Sequence, residues 1–341
     1  MQRRVAALTV ALGIALVFAS SAAMAQYQLT NLVSNQVGKA KHTDPLLVNA
    51  WGIAYGPGGP FWLSDTGTGF STIYDGGGNN QGLTVLVPSA TGAAEPGSPT
   101  GIVFNGSNDF QIQGSPAVFL FATLDGTISG WVPNVNFNAA LIAVTNPGAV
   151  YTGLASTNYA SGNVLFAADN ANNKIDMYDA NFKLVSSFTD PTVPAGFAPY
   201  GIQDLNGLVF VSFASQSGGP GGYIDIYSEA GAFLKRLTQG SPLNHPWGFA
   251  AAPANFGKLS NTVLIANNID HSSTINAFNV LTGQFVGPVK DSTGKDIAID
   301  ELWAITFGGG TPANGGTNVL FFTAGPNQYQ SGLFGKISVV K

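Results

Sequence analysis

The sequence predicts an all-β chain folded as a six-bladed β-propeller, and three observations carry that prediction. A phrase made of an apolar or small lead, a Gly or Ala, and an apolar strand recurs six times. It reads "NAWGIAY" (49–55), "SPTGIVF" (98–104), "AVYTGLA" (149–155), "APYGIQD" (198–204), "HPWGFAA" (245–251) and "ELWAITF" (301–307). Its anchors, Gly52, Gly101, Gly153, Gly201, Gly248 and Ala304, stand roughly 50 residues apart, a period that suits one four-stranded blade. Finally, short Val/Ile/Phe/Tyr runs alternate with Gly, Asn, Asp and Pro, and no stretch after residue 25 sustains a helical period.

The elements follow in chain order. Residues 1–25 read as a secretory leader: Arg3-Arg4, an apolar run from Val5 to Phe18, and the small-residue site Ala23-x-Ala25. The apolar run is short for a membrane anchor, and no later stretch is long and apolar enough to cross a bilayer. Residues 26–341 then form a single propeller domain. "YQLTNLVS" (27–34) precedes the first unit and is expected to be the outer strand of the last blade, closing the ring and removing an open edge.

Within each unit the anchor strand is innermost. A residue without a side chain there lets neighbouring backbones approach at the crowded axis. The second strands are "FWLSD", "FLFAT", "VLFAAD", "VFVSF", "VLIANN" and "VLFFTA"; the third are "STIYDG", "TISGWV", "KIDMYD", "YIDIYS", "TINAFN" and "LFGKIS". Asp125-Gly126 marks a tight hairpin between two of them. Fourth strands are less regular, "LTVLV" (83–87) and "FLKRL" (233–237) being the clearest.

Composition excludes several functions. Loss of Arg3 and Arg4 with the leader leaves 11 basic residues of the 13 against 18 acidic ones, so the formal charge moves from -5 to -7. With charged residues at 9% and no basic run, nucleic-acid binding is not expected. The absence of cysteine removes disulfides, thiolate nucleophiles and cysteine-ligated metals. There is no H-E-x-x-H, G-x-S-x-G or Walker A phrase, and "YDGGGNNQG" (74–82) lacks the spacing of a dinucleotide-binding turn. The expected product is an exported monomer, periplasmic or extracellular.

The phrases "LLVNAWGIAYGPGGPFWLSDTGTGFSTIYDG", "LFATLDGTISGW", "AGFAPYGIQ", "LNHPWGFAAAPANFGKLSN" and "ELWAITFGGG" resemble a family of exported six-bladed propellers, similar to NHL-repeat and gluconolactonase-like propellers. The resemblance covers nearly all of the mature chain. It implies fold and export, and it transfers no catalytic residue.

Propeller geometry narrows the candidate residues. The connection into each inner strand and the turn leaving each second strand share one face, so residues before the anchors should meet residues after the second strands. The first group includes Asn49, Trp51, Thr100, Tyr200, His245, Trp247, Asp300, Glu301 and Trp303; the second includes Asp65, Thr123, Asp125, Asp169, Asn170, Asn267, Asn268, Asp270 and His271.

Two readings follow. In the first, aromatic residues just before the anchors, Trp51, Tyr200, Trp247 and Trp303, form an arc over contiguous blades that stacks on a small molecule, a glycan or a protein partner; the competing use is packing between blades. In the second, Asp65, Asp169, Asn267 and Glu301 supply oxygens for Ca²⁺ or another divalent cation, as in gluconolactonase-like propellers, with His245 as general base of a metal-dependent hydrolase or lyase. Against it, Asp and Asn after strands commonly close their own turns. For His245 a structural hydrogen bond, ligand contact and catalysis all stay open.

Overall fold

The structure, a computed structural model describing residues 26–157 and 162–340, consists of six antiparallel sheets set as blades around an axis. Blade 1 comprises Ala50–Ala54, Phe61–Asp65, Phe70–Tyr74 and Asn80–Leu86. Blade 2 comprises Pro99–Phe104, Phe119–Thr123, Thr127–Trp131 and Leu141–Thr145. Tyr151–Thr157, Val164–Asp169, Lys174–Tyr178 and Leu184–Phe188 make blade 3. Phe197–Asp204, Leu208–Ser215, Tyr223–Ser228 and Phe233–Gln239 make blade 4. Blade 5 holds Pro246–Ala251, Val263–Asn267, Ile275–Phe278 and Phe285–Pro288. Blade 6 holds Leu302–Phe307, Val319–Ala324 and Leu333–Val340, followed outward by Gln26–Ser34, antiparallel to Leu333–Val340, and then by the short parallel strand His42–Thr43.

The inner strands touch in cyclic order, the sixth against the first, so the ring is complete. This is the six-bladed, all-β architecture expected from the sixfold phrase. Among the described residues the one helix is a single 3₁₀ turn, Gly257–Leu259, and no helix is long and apolar enough to cross a membrane. The expected leader, residues 1–25, lies outside the described residues.

Burial falls from the axis outward. Every residue of Phe61–Asp65, Phe119–Thr123, Val164–Asp169 and Val263–Asn267 is buried, because a second strand is covered on both faces by neighbouring blades. Such strands read as continuous apolar runs rather than alternating ones. Outer strands such as Leu184–Phe188 are mostly exposed. The core is therefore six slabs, one between each pair of adjacent blades. A seventh small cluster, Trp51, Trp247, Trp303 and Ala304, sits on the axis.

The anchor glycines have a definite steric reason. A Cβ on Gly52 would lie 2.3 Å from the Thr100 carbonyl oxygen, on Gly101 2.2 Å from the Leu154 nitrogen, on Gly201 2.0 Å from the Trp247 carbonyl oxygen and on Gly248 2.4 Å from that of Trp303. Gly153 is looser, at 3.1 Å from the Ile202 nitrogen. Each anchor thus abuts the backbone of the next inner strand, and it is this neighbour that forbids a side chain. At the same place every inner strand carries one residue more than its partner: registers break between Ala50 and Ile53, Pro199 and Ile202, Pro246 and Phe249, and Leu302 and Ile305, with equivalent breaks in blades 2 and 3. A bulge re-aims the side chains at the break.

Gly201→Ala should therefore destabilise the fold by about 1–3 kcal/mol through overpacking, whereas Ala304→Gly should cost about 0.5–1 kcal/mol. Urea unfolding of the two variants checks the order; a neutral Gly201→Ala would remove the steric account.

Candidate functional site

The lead-in segments and the exits of the second strands do meet on one face. In five of the six blades the first residue after the second strand donates its N–H to the carbonyl three residues before the anchor: Thr66 to Asn49 (3.2 Å), Leu124 to Ser98 (3.1 Å), Asn170 to Val150 (3.0 Å), Asn268 to His245 (3.0 Å) and Gly325 to Glu301 (2.9 Å), while in blade 4 Gln216 donates to Gly196. In blades 5, 6 and 1 that acceptor residue is left-handed, with φ of 46° at His245, 50° at Glu301 and 49° at Asn49. Each is followed two positions later by a tryptophan.

Those tryptophans close the channel. Trp51 and Trp303 stack with centroids 3.5 Å apart, and Trp247 meets both edge-on at 6.3 and 6.1 Å. Tyr200 joins them at 6.4 Å from Trp51 and 5.8 Å from Trp303. The Trp303 indole N–H donates to Asn49 Oδ1 (2.8 Å), and that of Trp247 spans the axis to the Thr152 carbonyl (2.9 Å). The span is open because blades 2 and 3 carry the small Thr100 and Thr152 at the aromatic position. The four aromatics proposed as a ligand platform thus come together, but Trp51, Trp247 and Trp303 are buried against one another, and Tyr200, half-buried, faces the cavity above.

That cavity is a cup of about 620 Å³ on the lead-in face, lined from blades 3 to 6 by Asn170, Tyr200, Ser215, Gln216, Asn244, His245, Asn268, Asp270, Glu301 and Tyr329, among others. Beyond the tryptophans the channel's other end is a smaller cavity of about 290 Å³, walled by Ile53, Ile102, Leu154, Ile202 and Ile305 together with fewer polar side chains, among them Ser156, Gln203 and Asp204. The cup therefore carries most of the hydrogen-bonding side chains.

Its rim is built by an unusual turn. Asn327, Gln328 and Tyr329 are consecutively left-handed, with φ of 64°, 55° and 62°, a conformation costing roughly 1–2 kcal/mol per L-residue. The turn brings the Tyr329 N–H to Glu301 Oε2 (3.1 Å), its hydroxyl to Asn268 Oδ1 (2.9 Å) and its ring over Trp303 (5.5 Å). Backbone strain concentrated at a concave site points to function. Glu301 is 3% exposed. Burial, and after it the carboxylates of Asp300 and Asp270, raise its pKa above the ordinary value, partly offset by the N–H groups of Tyr329 and Gln328. Tyr329 is pushed up to about 12 by burial and then by the carboxylates of Glu301, Asp270 and Asp300.

His245 lines the cup but is held by its neighbours. Nε2 lies 3.0 Å from the Ser215 carbonyl, so it bears a proton and donates; Nδ1 lies 3.2 Å from the Asn244 carboxamide oxygen. With both ring nitrogens facing oxygens, the geometry suits orientation and ligand contact better than proton abstraction.

Of the four expected metal ligands, only Glu301 lines the cup. Asp169 accepts from Val150 N–H, Asn172 N–H and the Asn172 carboxamide, closing its own turn. Asn267 accepts from Asn244 N–H and donates to the Pro242 carbonyl. Asp65 is wholly buried inside blade 1. Among the described residues, the one grouping of three acidic or histidine side chains with ligand atoms within 4.8 Å is Asp270, His271 and Asp300, at the exposed rim.

Tyr329 escaped the sequence reading although it obeys the same rule, following the second strand of blade 6; "VLFFTA" ends apolar and so raised no flag.

No family model matches the chain. An uncharacterised protein of Acanthamoeba polyphaga mimivirus is 30% identical over 343 residues, covering 94% of this chain and 82% of that protein. Among solved structures, a gluconolactonase of Xanthomonas campestris matches with a TM-score of 0.57 at 11% identity, covering 86% of this chain and 87% of that one. Virginiamycin B lyase of Staphylococcus aureus matches with a TM-score of 0.53 at 14% identity, covering 92% and 99%. At such identities the likeness is one of fold.

Asp65 gives a check on the separation of structural from functional carboxylates. Its two oxygens accept no well-formed hydrogen bond from the protein. Burial raises its pKa well above 3.8, with a small opposing effect of Thr72 and a small reinforcing one of Asp44. A raised native value means that its contribution to stability is complete below 3.8 and is lost as the pH climbs from there through the native value, by at most about 1.4 kcal/mol per pH unit. Asp65→Asn should flatten the fall in stability as the pH rises above 3.8 and leave the cup intact. Thermal melts across that range test it; an unchanged pH slope would contradict it.

Proposed function

The chain belongs to the same propeller family as the mimivirus protein, and on that footing we propose that it binds a small polar ligand in the cup on its lead-in face. The observation that carries this reading is the left-handed turn at 327–329. It places Tyr329 at the cup's rim, over Trp303 and against Glu301. A floor of packed rings and walls of carboxamides and hydroxyls suit a ligand that stacks on one side and hydrogen-bonds on the other. A glycan or a protein side chain would use the same surfaces.

Export to the periplasm or the extracellular space belongs to this proposal. It is supported by the leader-like residues 1–25, and a ligand encountered there would reach the cup without crossing a membrane.

The alternative, a metal-dependent hydrolase or lyase, requires Asp65, Asp169, Asn267 and Glu301 to share one cation and His245 to accept a proton. The first three donors lie outside the cup's lining, and His245 Nε2 is engaged by Ser215. Binding therefore has the better support.

A panel of small polar compounds, read by tryptophan fluorescence and thermal shift, tests the proposal, since Trp303 lies beneath the Tyr329 ring. Compounds that bind should lose at least about tenfold in affinity in Tyr329→Ala, measured on variant protein that thermal melts show to be folded. Retention of full affinity in both Tyr329→Ala and Tyr200→Ala would place the ligand elsewhere. EDTA should alter neither stability nor binding; loss of either would revive the metal reading.

A further inference from the structure

Resting on the cup as a ligand site, we propose that its ligand is a small organic ammonium ion, methylated at nitrogen, seated between Tyr200 and Tyr329 and facing Glu301. Three features point to this class. The first is charge. No lysine or arginine is among the described residues that line the cup, while Glu301 and Asp270 do line it and Asp300 is next to Glu301 in sequence. The exposed His271 imidazole stands 3.2 Å from Asp270 and 3.4 Å from Asp300 at the rim, whereas Glu301 has no such neighbour among the described residues. An anionic ligand would enter against the Glu301 carboxylate, and a cation would pair with it.

The second feature is the aromatic wall. Tyr200 reaches the cup from blade 4 and Tyr329 from the rim of blade 6, and both pack on Trp303, at 5.8 and 5.5 Å. Ring faces carry negative quadrupole density and attract alkylated ammonium groups, the recognition mode of aromatic cages. Such rings supply no ligand to Ca²⁺, which takes six to eight oxygen atoms closely arrayed. The cup's volume, about 620 Å³, also suits an organic molecule rather than a bare ion.

The third is the buried carboxylate. Glu301 is 3% exposed, held in a left-handed conformation, and oriented by the Tyr329 N–H on Oε2. Of the other buried carboxylates, Asp176 pairs with Lys174, and Asp225 and Asp190 with Arg236; Asp65 has no ion pair either, but it lies inside blade 1 and outside the cup's lining. Glu301 forms no ion pair among the described residues, although its carboxyl lies at a site open to ligand. The neutral carboxamides of Asn170, Gln216, Asn244 and Asn268 would then orient the polar end of the ligand.

The test is calorimetric titration of the purified protein with choline, with dimethylbutanol, in which carbon replaces the charged nitrogen, and with methyl glucoside. Choline should bind at least about tenfold more tightly than its uncharged isostere. Glu301→Gln should remove most of that preference, and Asp270→Asn, on an exposed side chain, should reduce it by a smaller factor. Thermal melts establish that both variants fold; if Glu301→Gln does not, the Asp270→Asn result and the isostere comparison still decide. Equal binding of choline and isostere overturns the inference, as does absence of choline binding. If methyl glucoside binds and loses affinity in Tyr329→Ala while choline does not bind, the cup remains a ligand site and only the cation is wrong. Binding of choline that is indifferent to both Tyr329→Ala and Tyr200→Ala removes the cup itself.

Discussion

The direct approach of one inner-strand backbone to the next is the contact on which the rest of the structure depends. At Gly52, Gly101, Gly201 and Gly248 there is no room for even a methyl group between adjacent blades. The inner strands meet this restriction with an extra residue at the same point, and the resulting bulge turns the preceding side chain toward the axis. What stands at that position decides what the channel becomes. Trp51, Tyr200, Trp247 and Trp303 fill it, while Thr100 and Thr152 leave the gap through which the Trp247 indole reaches blade 3. A ring of blades thereby becomes a blind cup.

The architecture was readable from the sequence because its determinants are local and repeated. Six copies of one phrase report a period, and a glycine in the middle of an apolar strand reports a close backbone approach. The gathering of four aromatics was also readable, since one repeat position in contiguous blades must share one arc. Their use was less so. Whether a tryptophan stacks on a ligand or on its neighbour depends on distances across the axis, and Trp51 and Trp303 lie 3.5 Å apart, with no space for a third ring.

The oxygen donors were misleading for a different reason. Asp65, Asp169 and Asn267 occupy corresponding strand ends, but a propeller repeats its solutions to local problems as faithfully as it repeats its strands. Asp169 is spent on its own turn, and Asn267 on the Pro242–Asn244 segment that leads into blade 5. Tyr329 was invisible for the opposite reason, because its conformation is set by contacts with Glu301, Asn268 and Trp303, and "PNQYQ" carries no strong signal for three left-handed residues in succession. In blades 5, 6 and 1 a left-handed residue two positions before a tryptophan couples the rim to the plug: Asn49 accepts from the Trp303 indole, and Glu301 holds the turn that covers Trp303. Ligand contact at the rim and packing on the axis are therefore parts of one assembly.

The plug is the central element, and hydrogen exchange of the indole N–H groups tests it most directly. In a closed channel the Trp247 and Trp303 protons, hydrogen-bonded to the Thr152 carbonyl and the Asn49 carboxamide, exchange only on large-scale opening of the propeller. NMR in deuterated buffer should then show both signals persisting about as long as the slowest amides of the second strands. Loss of both within the dead time, while those amides persist, would mean that water passes freely along the axis and that the cup has no floor.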